Sequence, residues 1–170
     1  FAGIGGFSLG LERVGGGGYF KTGAFCEIDS AACRVLTKHW PEVRIYKDIK
    51  RLTYEQLKAD GVRPTVFCIG FPCTDISNAG HKKGIHGESS SLWKEAFRLL
   101  QDVPQAVWVL TENVPPLRSR GATLVLQNLS EIGFCSELHC IPAYAVGSPQ
   151  SRDRLFIISY RHPRFQDGQE

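Results

Sequence analysis

The chain has 170 residues, 42% of them hydrophobic and 22% charged, with a formal net charge of +3. That length and apolar content suit a single domain around one core, and exclude a disordered or fibrous chain. The small charge announces no basic field for nucleic acid and excludes no such partner.

Along the chain, strand and helix signals alternate. Phe7 to Val14 carries apolar residues at 7, 11 and 14, a helical stripe, and a flexible glycine run follows at Gly15–Gly18. Thr22 to Cys26 reads as a short strand running into Glu27-Ile28-Asp29. Ser30 is placed to cap a helix bearing Ala32, Val35 and Leu36, which Pro41 closes. Val43 to Tyr46 is a second short strand leading to Asp48, and Thr53-x-x-Gln56 is a capping box for a helix that Gly61 ends. Thr65 to Ile69 is an apolar run of the kind that forms a buried parallel strand, and it leads through Gly70-Phe71-Pro72 to Cys73. A loop of glycine, serine and lysine spans about Thr74 to Ser90, before a helix marked by Leu92, Ala96, Leu99 and Leu100. Ala106 to Leu110 is a strand running into Glu112-Asn113, and Ala122, Val125, Leu126 and Leu129 mark the next helix. Two closing strands, Phe134–Ile141 and Arg154–Tyr160, flank the loop Pro149-Gln150-Ser151-Arg152. Repeated strand–helix units predict an α/β fold with a mostly parallel sheet covered by helices on both faces.

In such a sheet, ligands and chemistry collect at the carboxyl ends of the strands. Glu27, Asp48, Cys73 and Glu112 all fall there, which predicts one shared crevice. A thiol at a strand end is a nucleophile once deprotonated, whereas any single carboxylate would ordinarily be a solvated surface charge. The opening Phe1-Ala2-Gly3-Ile4-Gly5-Gly6 is a glycine turn into a helix, which lets backbone approach a ligand closely. It is not the dinucleotide fingerprint, because Ser8 stands at the third glycine position. Glu27 follows at a distance suited to gripping a ribose diol, so the turn and the acid point to a nucleoside-containing cofactor without a phosphate cradle. The six cysteines, at 26, 33, 68, 73, 135 and 140, show no metal-ligand spacing. They read as reduced thiols of a cytoplasmic protein, with no metal site and no disulfide framework. No signal peptide and no apolar run near about eighteen residues is present, so a membrane is not an expected partner.

Phe1-Ala-Gly-Ile-Gly-Gly-Phe, Glu27, Asp48, Gly70-Phe-Pro-Cys73, Glu112-Asn-Val114 and Gln150-Ser-Arg152-Asp-Arg154 together resemble the ordered motifs of the DNA (cytosine-5)-methyltransferases, over nearly the whole chain. The resemblance implies a Rossmann-like, S-adenosylmethionine-dependent methyltransferase fold with residues 1–170 as an incomplete catalytic domain. Its first strand would be largely truncated before Phe1, and its target-recognition region and last motifs would be absent. By motif, Phe1, Gly3 and Gly5 would line the S-adenosylmethionine pocket, Glu27 would take the ribose hydroxyls, Ile28 would pack on the adenine and Asp48 would meet its amine, with Phe71 and Leu92 also touching the cofactor. Cys73 would add to C6 of a cytosine flipped out of double-stranded DNA. Glu112 would hold N3 and the amino group, Arg154 would reach O2, and Arg152 would order the loop and the phosphate side. Lys82 and Lys83 could contact phosphates, although an ordinary solvated loop explains them as well.

Thr74 stands where the family usually has glutamine, and Ser89 where it often has arginine; both bear on loop closure and DNA affinity. The missing initiator methionine suggests a trimmed piece or one subunit of a split enzyme, with a complementary chain carrying target recognition. An RNA cytosine-5 methyltransferase and a catalytically inactive DNA-binding relic remain open alternatives. A nicotinamide-dependent oxidoreductase is the other, and Ser8 counts against it.

Overall fold

The computed structural model describes residues 1–72 and 92–161. The chain divides into two compact units, Phe1–Pro64 and the part from Thr65 onward.

In the first unit, the glycine turn leads into α1 (Gly6–Arg13), and Val14–Gly16 makes a single 3-10 turn within the glycine run. Then come β1 (Ala24–Cys26), α2 (Ser30–His39), β2 (Arg44–Tyr46) and α3 (Tyr54–Ala59). β1 and β2 pair in parallel, Cys26 opposite Tyr46, as a strand–helix–strand crossover requires. The cap of α2 corrects the sequence reading. Asp29, not Ser30, is the N-cap: its Oδ1 accepts the Ala32 N–H at 2.6 Å, and Ser30 is already helical. Thr53 caps α3 as expected, accepting the Gln56 N–H at 3.2 Å, and Gly61 leaves the helix with φ of 76°. Phe25, Leu36, Ile49, Leu52 and Leu57 build the core. In the stripe at 7, 11 and 14, Phe7 and Leu11 are half-buried on α1, while Val14 just beyond it is exposed.

The second unit holds β3 (Val66–Ile69), α4 (Leu92–Gln101), β4 (Trp108–Asn113), α5 (Leu117–Arg120), α6 (Ala122–Glu131), β5 (Phe134–Pro142) and β6 (Asp153–Arg161). Its sheet has the order β3-β4-β6-β5. β3 and β4 are parallel, whereas β6 runs antiparallel to both β4 and β5. Parallel pairing therefore holds through the strand–helix units and reverses only in the closing hairpin, whose loop contains the 3-10 turn Ala143–Val146. In β6 the residues alternate, with Leu155, Ile157 and Ser159 buried, the period of two expected when one face meets a core. Trp93, fully buried on α4, donates its indole N–H to Asn128 Oδ1 on α6 at 3.0 Å. Among the described residues no helix is long and apolar enough to cross a membrane, and no cluster of potential metal ligands occurs.

Candidate active site

In the first unit the glycine turn, Glu27 and Ile28 are gathered at the end of β1. The terminal amino group of Phe1 and the amide N–H of Ala2 both donate to the Cys26 carbonyl, the latter at 3.1 Å, so the opening residues lie against the strand end. Gly3 and Gly5 have φ of 55° and 88°, the left-handed region that glycine enters freely. Glu27 is buried directly beyond β1. Its Oε2 accepts the Gly3 N–H at 2.7 Å, and its Oε1 accepts the N–H groups of Ile28 and Asp29 at 2.9 and 3.0 Å. A carboxylate offers about four acceptor positions, so three backbone bonds leave room for one hydroxyl. Ile28 beside it is 72% exposed, an apolar surface without a cover. Asp48 follows the paired strand β2, with Oδ1 accepting the Lys50 N–H at 2.9 Å. The set is thus a glycine turn with left-handed backbone, a carboxylate with one free acceptor position, a bare aliphatic side chain and a second carboxylate. It fits a nucleoside.

In the second unit a different group collects at the ends of β3, β4 and β6. Glu112, the penultimate residue of β4, is held by Arg154 of β6, whose Nε lies 2.8 Å from Oε1; both side chains remain partly exposed. The guanidinium also donates from Nη1 to the Asp153 carbonyl at 2.7 Å. Phe71, two residues beyond β3, is buried with its ring 5.6 Å from that of Trp93. Leu92 is half-buried at the start of α4. Arg152 is exposed, and its carbonyl accepts the Ala143 N–H at 2.9 Å. Cys73, Thr74, Lys82, Lys83 and Ser89 lie outside the described residues.

Two residues carry more of this geometry than their sequence positions suggest. Asn113 is buried at the end of β4; it donates from Nδ2 to the Phe71 carbonyl at 3.2 Å and accepts the Val114 N–H at 2.8 Å. It thereby ties the exit of β4 to the backbone two residues before Cys73. A lone asparagine at a strand end gives no sign of which carbonyl it will reach. Arg154, assigned by motif to the base O2, is bonded to a carboxylate 42 positions away in sequence, a pairing set by the β4–β6 register.

Known proteins resemble this chain in sequence and in fold. Residues 1–167 match the family model of the C-5 cytosine-specific DNA methylases. The type II methyltransferase M2.BsuMI of Bacillus subtilis (strain 168) is 37% identical over 166 residues, covering 94% of this chain and 40% of the relative. The type II methyltransferase M.HgiBI of Herpetosiphon aurantiacus is 33% identical, covering 93% and 35%. The chain therefore spans less than half the length of both relatives. A crystal structure of a DNMT2 mutant of Spodoptera frugiperda superposes with a TM-score of 0.78 at 21% identity, covering 96% of this chain and 49% of that one. At that identity the likeness bears on the fold alone. It upholds the Rossmann-like class.

Proposed function

The chain belongs to the C-5 cytosine-specific DNA methylase family, and from that premise we propose that it is the catalytic domain, over residues 1–170, of an enzyme methylating C5 of cytosine in double-stranded DNA. The observation that carries the reading is the Glu112–Arg154 pair at 2.8 Å on adjacent strand ends, a carboxylate and a guanidinium both partly open to solvent.

S-adenosylmethionine is the proposed cofactor. Phe1, Gly3 and Gly5 would shape its seat, Glu27 would accept a ribose hydroxyl in its remaining acceptor position, Ile28 would lie under the adenine and Asp48 would take the amine. Phe71 and Leu92 are assigned to the same ligand. When bound, the cofactor supplies an electrophilic methyl group.

The chain's own residues must make C5 of the base nucleophilic. Cys73, its thiol proton released to solvent, adds as thiolate to C6, forming a C–S bond and placing electron density on C5. Glu112 holds N3 and the exocyclic amine, and Arg154 meets O2, so that the charge developing on the ring is met by groups already in place. After C5 has gained the methyl group it loses its proton to a base, and the C–S bond breaks, returning the thiolate of Cys73. Arg152 is assigned to the loop and phosphate side. The base must leave the helical stack to reach such a site. An RNA substrate finds no support in the names of the relatives.

The test is covalent trapping by the full-length protein on duplex DNA carrying 5-fluorocytosine. Cys73→Ser should form no adduct and transfer no methyl group; an adduct with that variant would refute the assignment. Glu112→Gln should slow methyl transfer by about 10²–10³-fold, the usual cost of losing one preorganised charge-stabilising group, with cofactor affinity unchanged.

A further inference from the structure

We infer that Glu12 and Trp40 are positioning residues for the cofactor: a carboxylate–indole brace that fixes the shape of the glycine turn. The inference rests on the assignment of that turn to S-adenosylmethionine, and it concerns two side chains that make no part of the pocket itself.

Glu12 lies near the end of α1, and its carboxylate collects donors from two distant segments. Oε1 accepts the Thr22 N–H at 3.0 Å and the Thr22 hydroxyl, and Oε2 accepts the Trp40 indole N–H at 2.9 Å. These bonds hold its pKa below the ordinary value, outweighing the opposing effect of burial. Trp40 is the first residue beyond α2. Its ring meets Phe25 of β1 edge-on, with centroids 5.3 Å apart and planes at 66°. The ring also lies against Gly5. A Cβ at that position would fall 2.6 Å from Trp40 Cζ3, 2.8 Å from Cη2 and 3.1 Å from Leu36 Cδ2.

The indole is therefore held on three sides by a strand residue, the glycine turn and a charged acceptor. A charge-assisted bond to a planar acceptor fixes the rotation of the ring more strongly than a neutral contact would. The ring in turn fixes Gly5, whose N–H donates to Ala2 O at 3.1 Å and whose carbonyl accepts the Leu9 N–H at 2.9 Å. Gly3, two residues away, gives its N–H to Glu27. Turning the ring would move Gly5, and Gly3 with it, relative to the Glu27 carboxylate. The carboxylate itself stands on α1, so the brace also joins the helix that the turn introduces to Thr22 and to the residue that ends α2.

The experiment titrates S-adenosylhomocysteine calorimetrically into the full-length protein, with Glu27→Ala as the control for the pocket. Trp40→Phe and Glu12→Ala should each weaken binding about tenfold, which is about 1.4 kcal/mol. The double variant should be no weaker than the worse single one, because both remove one bond. Glu12→Gln, which keeps an acceptor for the indole, should recover part of the loss. In turnover, KM for the cofactor should rise while KM for DNA stays fixed. A role confined to stability would instead lower the folded fraction and leave the Kd of folded molecules unchanged. If Glu27→Ala weakens binding and folded Glu12→Ala and Trp40→Phe bind as the parent does, the brace is refuted and the pocket stands. Unaltered binding by Glu27→Ala would remove the pocket, and the brace with it.

Discussion

Replacing Gly5 with alanine brings two separate penalties. Its φ of 88° lies where a Cβ clashes with the residue's own backbone, which costs about 1–2 kcal/mol. The new methyl would also sit 2.6 Å from the Trp40 ring. Urea denaturation should therefore show Gly5→Ala losing about 2 kcal/mol or more, whereas Gly6→Ala, with open space around its Cβ, should lose far less. Thr111 works in the opposite direction. Its hydroxyl is fully buried on β4 and has no partner among the described residues, so burial costs free energy that nothing there offsets. Thr111→Val keeps the shape and removes that cost, and should raise stability by about 1 kcal/mol in the same measurement. The acids of the site were legible at this scale because position on a strand end is a sequence property. Their partners were not: that Glu27 would grip three backbone amides depends on how the turn folds back over it.

Elements were legible in existence more than in their ends. Among the described residues six strands lie close to where alternation and apolar runs put them, but β1 begins at Ala24, the Thr22 N–H and hydroxyl being taken by Glu12, and β4 runs Trp108–Asn113 instead of Ala106–Leu110, so that Glu112 lies within it. The helix Leu117–Arg120 went unread because four residues between Pro116 and Gly121 are too short to show a period. At the start of α2, two capping residues stand side by side and only geometry chooses between them. Asp29→Ala should cost about 1 kcal/mol of stability, the usual value for a lost N-cap, while Ser30→Ala should be close to neutral. Equal losses at the two positions, measured by thermal melting, would mean that the cap is shared. The brace between Glu12 and Trp40 was illegible for a different reason. Twenty-eight positions separate them, and each alone looks like a surface residue of a helix end.

Across the whole molecule, stability should fall at both ends of the pH scale. On the acid side, the depressed pKa of Glu12 means that the unfolded chain takes up its proton first as pH falls. Its contribution is complete above the unfolded value near 4.5 and is lost as pH drops through the folded one. On the alkaline side the groups are shifted upward. Burial pushes Cys68 in the second unit to about 12, and burial with the hydrogen bond to Asp60 pushes Tyr46 in the first unit to about 12. Each keeps its proton in the fold after the unfolded chain has released it, so stability declines from about pH 9 for the thiol and about pH 10 for the phenol, and levels off beyond the folded values. Denaturation midpoints measured from pH 3 to 11 should trace a plateau between these limbs. Cys68→Val should flatten the first part of the alkaline decline and Tyr46→Phe the later part. A Cys68→Val variant with the parent's full slope near pH 9 would show that this thiol ionises as readily in the fold as out of it. The same curve separates two meanings of a pH–activity profile: a loss of methyl transfer inside the plateau belongs to the site's own groups, and a loss that follows the limbs belongs to the fold.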